Sequence, residues 1–273
     1  MSTLTQPGIS PAVDPARVRP AVPTLISEPI VFPRWRTRLL WGMTGLSALL
    51  MAISFGLALF YADMDVATGN VQRIFYMHVG AFSGAATAFF VTVAAGLIYL
   101  ITRNLRWDKL ALAGVKIGLP LSMITLITGA IWARPTWNTW WTRDPRLDAM
   151  LVMAVIYAAY LTLRSAIGAA ESKARFAAVY GILAFVSVIY TTLIIRVRPD
   201  TLHPVVIGVA VDTTNAVTKA QGSFALTSSM IFALSVASVS WMILAITLMW
   251  HSVRLETLAQ KVNALKMRAL AED

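Results

Sequence analysis

The chain contains no cysteine. That excludes disulfides, thiolate metal sites, iron–sulfur clusters and any Cys-x-x-Cys-His attachment of a tetrapyrrole to the chain itself. Charge is scarce as well. Charged residues make up 13% of the 273 positions and apolar ones 58%, against about 25% and 45–50% in a soluble domain. Histidine occurs three times, at His78, His203 and His251. No Walker, Rossmann or EF-hand pattern and no internal repeat is present, so a nucleotide-driven pump is not encoded in this chain alone. The net charge of +10 requires no nucleic-acid partner, because basic residues that orient membrane spans raise the charge by themselves.

What the chain has is long apolar runs, and the mean hydropathy is +0.69. About 20 apolar residues cross a bilayer core. Six runs are read as spans: 39–62, 81–102, 111–133, 149–163, 176–195 and 225–250, the fourth being the shortest. With the N-terminus inside, the inner segments collect 16 of the 23 lysines and arginines, and the outer ones hold Arg73, Arg134, Arg143, Arg146, Arg196, Arg198 and Lys219. The positive-inside rule therefore puts both termini in the cytoplasm. The expected fold is all-α: a polytopic membrane protein, a bundle of six transmembrane helices with functional loops on the extracytoplasmic face.

Residues 1–35 carry seven prolines before Arg34 and read as a disordered Pro-rich cytoplasmic tail. Residues 36–250 are the six-span domain, with outer loops 63–80, 134–148 and 196–224. The inner connections, near 103–110 and 164–175, are short and carry no evident chemistry. Residues 251–273 form an amphipathic C-terminal helix, with Leu255, Leu258, Val262 and Leu265 three and four apart. It either continues the sixth span along the inner surface or docks a partner.

None of the six runs holds an aspartate, a glutamate or a histidine at depth. Proton relays and ion pumps need such groups near the midplane, so an ion-coupled transporter is disfavoured. The chemistry is concentrated on the outer face. His78 precedes the second span and His203 follows the fifth, at matched depth, whereas His251 is an interfacial residue on the inside. A single tryptophan near a span end is ordinarily part of the interfacial aromatic belt. That explains poorly why Trp132, Trp137, Trp140 and Trp141, four of nine, gather in one stretch. Stacked indoles suit a flat apolar macrocycle, and two neutral imidazoles suit the axial positions of haem iron. Asp144 would orient the loop. Arg143 and Arg146 would meet the carboxylates of a bound anion, and Arg134, Arg196 and Arg198 could serve the same purpose; Arg134, Arg143, Arg196 and Arg198 are possible propionate partners, since the guanidinium fork matches a carboxylate.

The stretch "WNTWWTRDPRL" resembles the tryptophan-rich WWD signature of the cytochrome c assembly, haem-handling membrane proteins. Length and six-span layout are similar to the haem exporter protein C family (CcmC). The resemblance covers roughly Trp41 to Trp250, and "RIFYMHVG" and "TLHP" look like that family's two outer histidine segments. It implies haem b held on the outer face, with His78 and His203 as axial ligands. Trp132, Trp137, Trp140, Trp141, Asp144 and Arg146 would form the haem-binding loop. It also implies a bacterial inner-membrane location and a binding and transfer role rather than an enzyme. The partners would be a periplasmic haem chaperone of the CcmE type, ABC-transporter subunits and a small single-span subunit. Alternatives are a system II-type cytochrome c synthetase subunit, a b-type haem electron-transfer anchor, and a permease subunit whose indoles are belt residues. Two positions depart from the family pattern: Asn138 stands where a glycine is usual, and Arg143 where a third tryptophan is.

Overall fold

The computed structural model describes residues 32–65, 68–198, 201–203 and 226–272. The expectations for the proline-rich tail up to residue 31 and for most of loop 196–224 fall outside these residues. The order is α1 (Arg34–Gly56, extended by a π turn, Leu57–Tyr61), α2 (Ile74–Thr102, opened by a 3-10 turn, Asn70–Arg73), α3 (Leu105–Trp137), α4 (Pro145–Ala166), α5 (Ala170–Val197) and α6 (Ser228–Glu272). All six are long and apolar enough to cross a membrane. In hydrocarbon a backbone polar group has no water to bond, so a single spanning segment satisfies itself only as a helix.

Five of the helices begin before the apolar runs do. Composition marks what lies in hydrocarbon, whereas a helix continues until something caps it. The side chain of Asn104 accepts a hydrogen bond from the Arg106 N–H and opens α3, and Asp144 does the same for α4 ahead of Pro145. Arg103, at φ 55°, closes α2 in the left-handed conformation. Two expectations change as a result. Residues 134–148 are not one loop: α3 runs to Trp137 and α4 starts at Pro145. His78 is not in a loop but in the second turn of α2. The expected C-terminal helix is not a separate element: α6 continues through it to Glu272.

Lipid tails are as apolar as leucine, so association between spans rests on close packing and on polar contacts. Glycines supply the first. A Cβ at Gly114 of α3 would stand 2.5 Å from the Ala88 carbonyl oxygen of α2, and one at Gly118 would stand 2.5 Å from the Phe89 ring. Gly80 and Gly84 of α2 make the same room for Trp241 of α6. Phe89 in turn stacks on Tyr157 of α4 at 3.6 Å between ring centres.

Polar contacts tie the remaining elements. Ser47 bonds Thr247 at 2.9 Å, Thr44 bonds His251 at 2.8 Å, and Ser240 donates to the Leu50 carbonyl, all between α1 and α6. Lys116 meets Glu256 at 2.9 Å. Thr227 and Ser229 donate to the Asp63 carboxylate, joining the end of α1 to the start of α6. Those hydroxyls, Ser229 first, hold the Asp63 carboxyl below its ordinary value. The connections α2–α3 and α4–α5 also prove richer than expected. Arg164 of α4 donates both arms of its guanidinium to Asp108 of α3 at 2.7 and 2.6 Å, and both residues are buried. The bidentate geometry offsets the cost of removing two charges from water.

Two substitutions separate these terms. Gly114→Ala is expected to destabilise the bundle by about 1–3 kcal/mol, because a backbone oxygen blocks the methyl group. Gly42→Ala, where nothing lies within 4 Å, should leave stability unchanged or slightly raised. Denaturant titration in mixed micelles measures both; equal effects would show that close α2–α3 packing does not hold the bundle. In the same assay, Asp108→Asn leaves Arg164 buried without its charge partner and is expected to cost about 3–5 kcal/mol.

Candidate functional site

The ends of α2, α3, α4 and α5 that converge opposite the start of α1 enclose a cavity of about 480 Å³, within the range of ligand-binding clefts. His78, Trp132, Trp137, Trp141, Arg146, Arg196 and His203 all line it. The chain thus brings together both expected histidines and three of the four expected indoles.

His78 is held from two sides. Its Nδ1 lies 2.9 Å from the Thr125 carbonyl oxygen. A carbonyl only accepts, so Nδ1 carries the proton and Nε2 keeps its lone pair. Such a bond is the usual means of orienting a ligating imidazole. Beneath the ring, a Cβ at Gly129 would come within 2.9 Å of His78 Cε1, so only glycine leaves the imidazole in place. The sequence reading missed both Thr125 and Gly129. Their signal was present, since the two residues are one helical turn apart on α3, but their partner lies on another helix.

His203 follows α5 in a non-helical segment and is positioned through Asp144. This aspartate is 3% exposed. Its carboxylate accepts from the Arg146 N–H at 2.9 Å and from the Thr201 hydroxyl at 2.9 Å to each oxygen, and it also accepts from the Leu202 N–H. The Thr201 oxygen then accepts from the His203 N–H at 3.2 Å. A buried carboxylate at a helix N-terminus is favoured by the exposed amides and the helix dipole. Asp144 is therefore both the cap of α4 and the latch that joins the tryptophan turn to the His203 segment. The centres of the His78 and His203 rings stand 6.1 Å apart, with ring planes 30° from parallel.

The indoles divide. Trp132 and Trp137 pack edge to face at 5.2 Å between centres. Trp141 lines the cavity and donates from Nε1 to Asp148 at 3.3 Å. Trp140 is 59% exposed and is not among the cavity residues. Successive residues of a turn face different ways, which spacing alone does not reveal.

The arginines divide too. Arg134 does not line the cavity. Its Nη1 donates to the carbonyl oxygen of Asn138 at 2.6 Å and also to the Asn138 side chain, which fastens the C-cap of α3. Asn138 takes the left-handed conformation at φ 54°. Asparagine tolerates that conformation better than most residues, so the turn forms without a glycine. Arg143 and Arg198 are exposed and lie outside the lining, while Arg146 and Arg196 are within it. Arg143 does not restore the wall that a third indole would supply.

These features define a class: a six-span α-helical membrane protein with a cavity at one end of the bundle, walled by indoles and faced by two imidazoles. The sequence profile of the family described as Heme exporter protein C matches residues 23–268. The chain belongs to that family. Proteins named Heme exporter protein C include relatives from Rhodobacter capsulatus (30% identical, covering 61% of this chain and 68% of that one), Bradyrhizobium diazoefficiens (26%, 89% and 88%) and Escherichia coli K12 (32%, 49% and 54%).

A double-mutant cycle tests the latch. Asp144→Ala and Thr201→Val, measured singly and together by denaturant titration, are expected to couple by about 0.5–3 kcal/mol. Strict additivity would mean that the tryptophan turn and the His203 segment are not joined through these groups.

Proposed function

We propose that the protein holds haem b in this cavity, between His78 and His203, and passes it on during cytochrome c maturation. The observation that carries this reading is the 6.1 Å between the two ring centres. A metal–imidazole bond is about 2 Å, and a ring nitrogen lies about 1 Å from its ring centre. Two imidazoles on opposite faces of one iron therefore stand about 6 Å apart. The buried Nδ1–H of His78 supports ligation through Nε2, and the apolar wall of Trp132, Trp137 and Trp141 suits a macrocycle.

In this reading the site faces the periplasm, both termini are cytoplasmic and the membrane is the bacterial inner membrane, as the distribution of lysine and arginine favours. The grip is asymmetric. His78 is held rigidly on α2 by Thr125 and Gly129, whereas His203 rides on a segment latched by Asp144 and Thr201. Release needs only the second ligand to swing away, so cargo is held and then surrendered to a haem chaperone of the CcmE type. Energy would come from ABC-transporter subunits, with a small single-span subunit completing the assembly. A b-type electron-transfer anchor shares the helical ligand but not the latched, non-helical one.

The visible spectrum of the purified protein with added haem tests the ligand pair. A low-spin bis-histidine spectrum is expected. It should be lost in His78→Gly and in His203→Gly, and restored by free imidazole filling the space left. A spectrum unchanged in the double variant would sink the ligand assignment. Gly129→Ala, which pushes against the His78 ring, should weaken haem retention at least tenfold without abolishing folding. Trp140→Ala, off the cavity, should leave retention unchanged.

A further inference from the structure

At the end of the bundle away from the cavity, the start of α1 lies beside α6. Arg34, Arg36 and Arg38 open α1, and Arg254 stands on α6. None of the four forms an ion pair among the described residues. Residues 34–62 contain no aspartate or glutamate, and Glu256 of α6 is taken by Lys116. Two of these cations lie over aromatic rings. The Arg36 guanidinium carbon is 5.2 Å from the centre of the Trp35 ring, and that of Arg254 is 4.6 Å from the centre of the Phe32 ring. A ring under a guanidinium holds the cation in place and leaves N–H groups for an oxyanion.

Beyond these cations α1 presents an apolar stripe. Only 17% of its apolar stretch is buried inside the protein, against 33–50% in the other five spans. Its packed side holds Leu40, Ser47 and Ser54, seven apart. One position earlier, Leu39, Leu46 and Ile53 are exposed, with Leu49 between them and open space at Gly42. From Leu39 to Leu49 the helix rises about 15 Å. That is about half the hydrocarbon thickness, the depth that one acyl chain reaches. A second helix packed on the stripe would leave the cations uncompensated, and a zwitterionic headgroup brings a cation of its own. An anionic phospholipid supplies both the chain and the missing negative charge.

We propose that Arg36 and Arg254, backed by Trp35 and Phe32, form a binding site for the headgroup phosphate of an anionic phospholipid, whose acyl chain lies along Leu39, Leu46 and Leu49 of α1. The lipid braces α1 at the end where the hydrogen bonds of Thr44 and Ser47 join it to α6. On the orientation proposed above, the site lies in the inner leaflet, where anionic lipid gives the surface its negative potential. It rests neither on the histidine ligands nor on haem.

The test compares headgroups. Full-length protein in mixed micelles is titrated with phosphatidylglycerol or with phosphatidylcholine of the same chain length, and bound lipid is counted by native mass spectrometry. An arginine near a bilayer surface is worth about fivefold in affinity for anionic lipid, and two about thirtyfold. The wild type should therefore prefer phosphatidylglycerol by about tenfold or more. Arg36→Gln combined with Arg254→Gln should weaken phosphatidylglycerol about thirtyfold and phosphatidylcholine little. Arg106→Gln combined with Arg175→Gln removes the same charge from exposed positions on α3 and α5 at the same end, and should leave the preference intact. Equal loss in that control would make the effect one of diffuse charge and overturn the site, as would a wild type indifferent to the headgroup. Glycerol 3-phosphate, which has the phosphate without chains, should not displace the lipid at equal concentration; displacement would make this a site for a free phosphate and overturn the lipid assignment. A stable dimer that retains neither lipid would give the stripe to a second copy and overturn the proposal as well.

Discussion

The site depends on one buried carboxylate. Asp144 begins α4, receives the hydroxyl of Thr201 and the amide of Leu202, and through Thr201 holds the backbone of His203. Two segments distant in sequence meet on two oxygens. A carboxylate in that position is tolerable only because every lone pair in use faces a donor and the helix N-terminus adds a favourable field. If that satisfaction is lost, the charge becomes the most costly group in this end of the bundle. The same carboxylate is also a charge neighbour of the Arg146 side chain, which lines the cavity. Local structure, ligand placement and cavity electrostatics are in this sense one constraint.

The bundle supplies a rigid frame for that constraint. Glycines at 80, 84, 114 and 118 bring α2 close to α3 and α6, and the paired Asp108 and Arg164 lock α3 to α4 at the opposite end. Between these points α2 and α3 bring His78 against Thr125 and Gly129. The second histidine has no such frame. It follows α5 in irregular chain, tied by hydrogen bonds to the Asp144 carboxylate, each worth about 1.5–3 kcal/mol. On the proposed function, a rigid ligand opposite a releasable one would suit a protein that lets its cargo go.

Much of this was legible in the residues. Six apolar runs without buried charge predicted six spanning helices, and the tryptophan cluster and two histidines pointed to one face. The starts of five helices were misplaced because hydropathy reports hydrocarbon, not helix termination. His78 was read as a loop residue for that reason. Roles within the cluster were not legible. Trp140 and Trp141 are neighbours in the chain and face different surroundings, and Arg134 differs from Arg146 only in what lies within reach. Asn138 is the opposite case: its tolerance for a positive φ is a property of the residue itself, and the turn forms as that property allows.

By itself, the sequence determined the class of fold, because the requirement to satisfy backbone groups in lipid leaves a long apolar run one solution. It also determined which residue types were available at one end of the bundle, since six crossings of the membrane dictate which connections share a face. Only the tertiary structure decided which of those residues cooperate. The partners of Asp144 lie 57 and 58 positions away, and those of His78 lie 47 and 50 away. A hydrogen bond depends on separations of a few ångströms between atoms, and no periodicity in a chain encodes a distance between two of its helices.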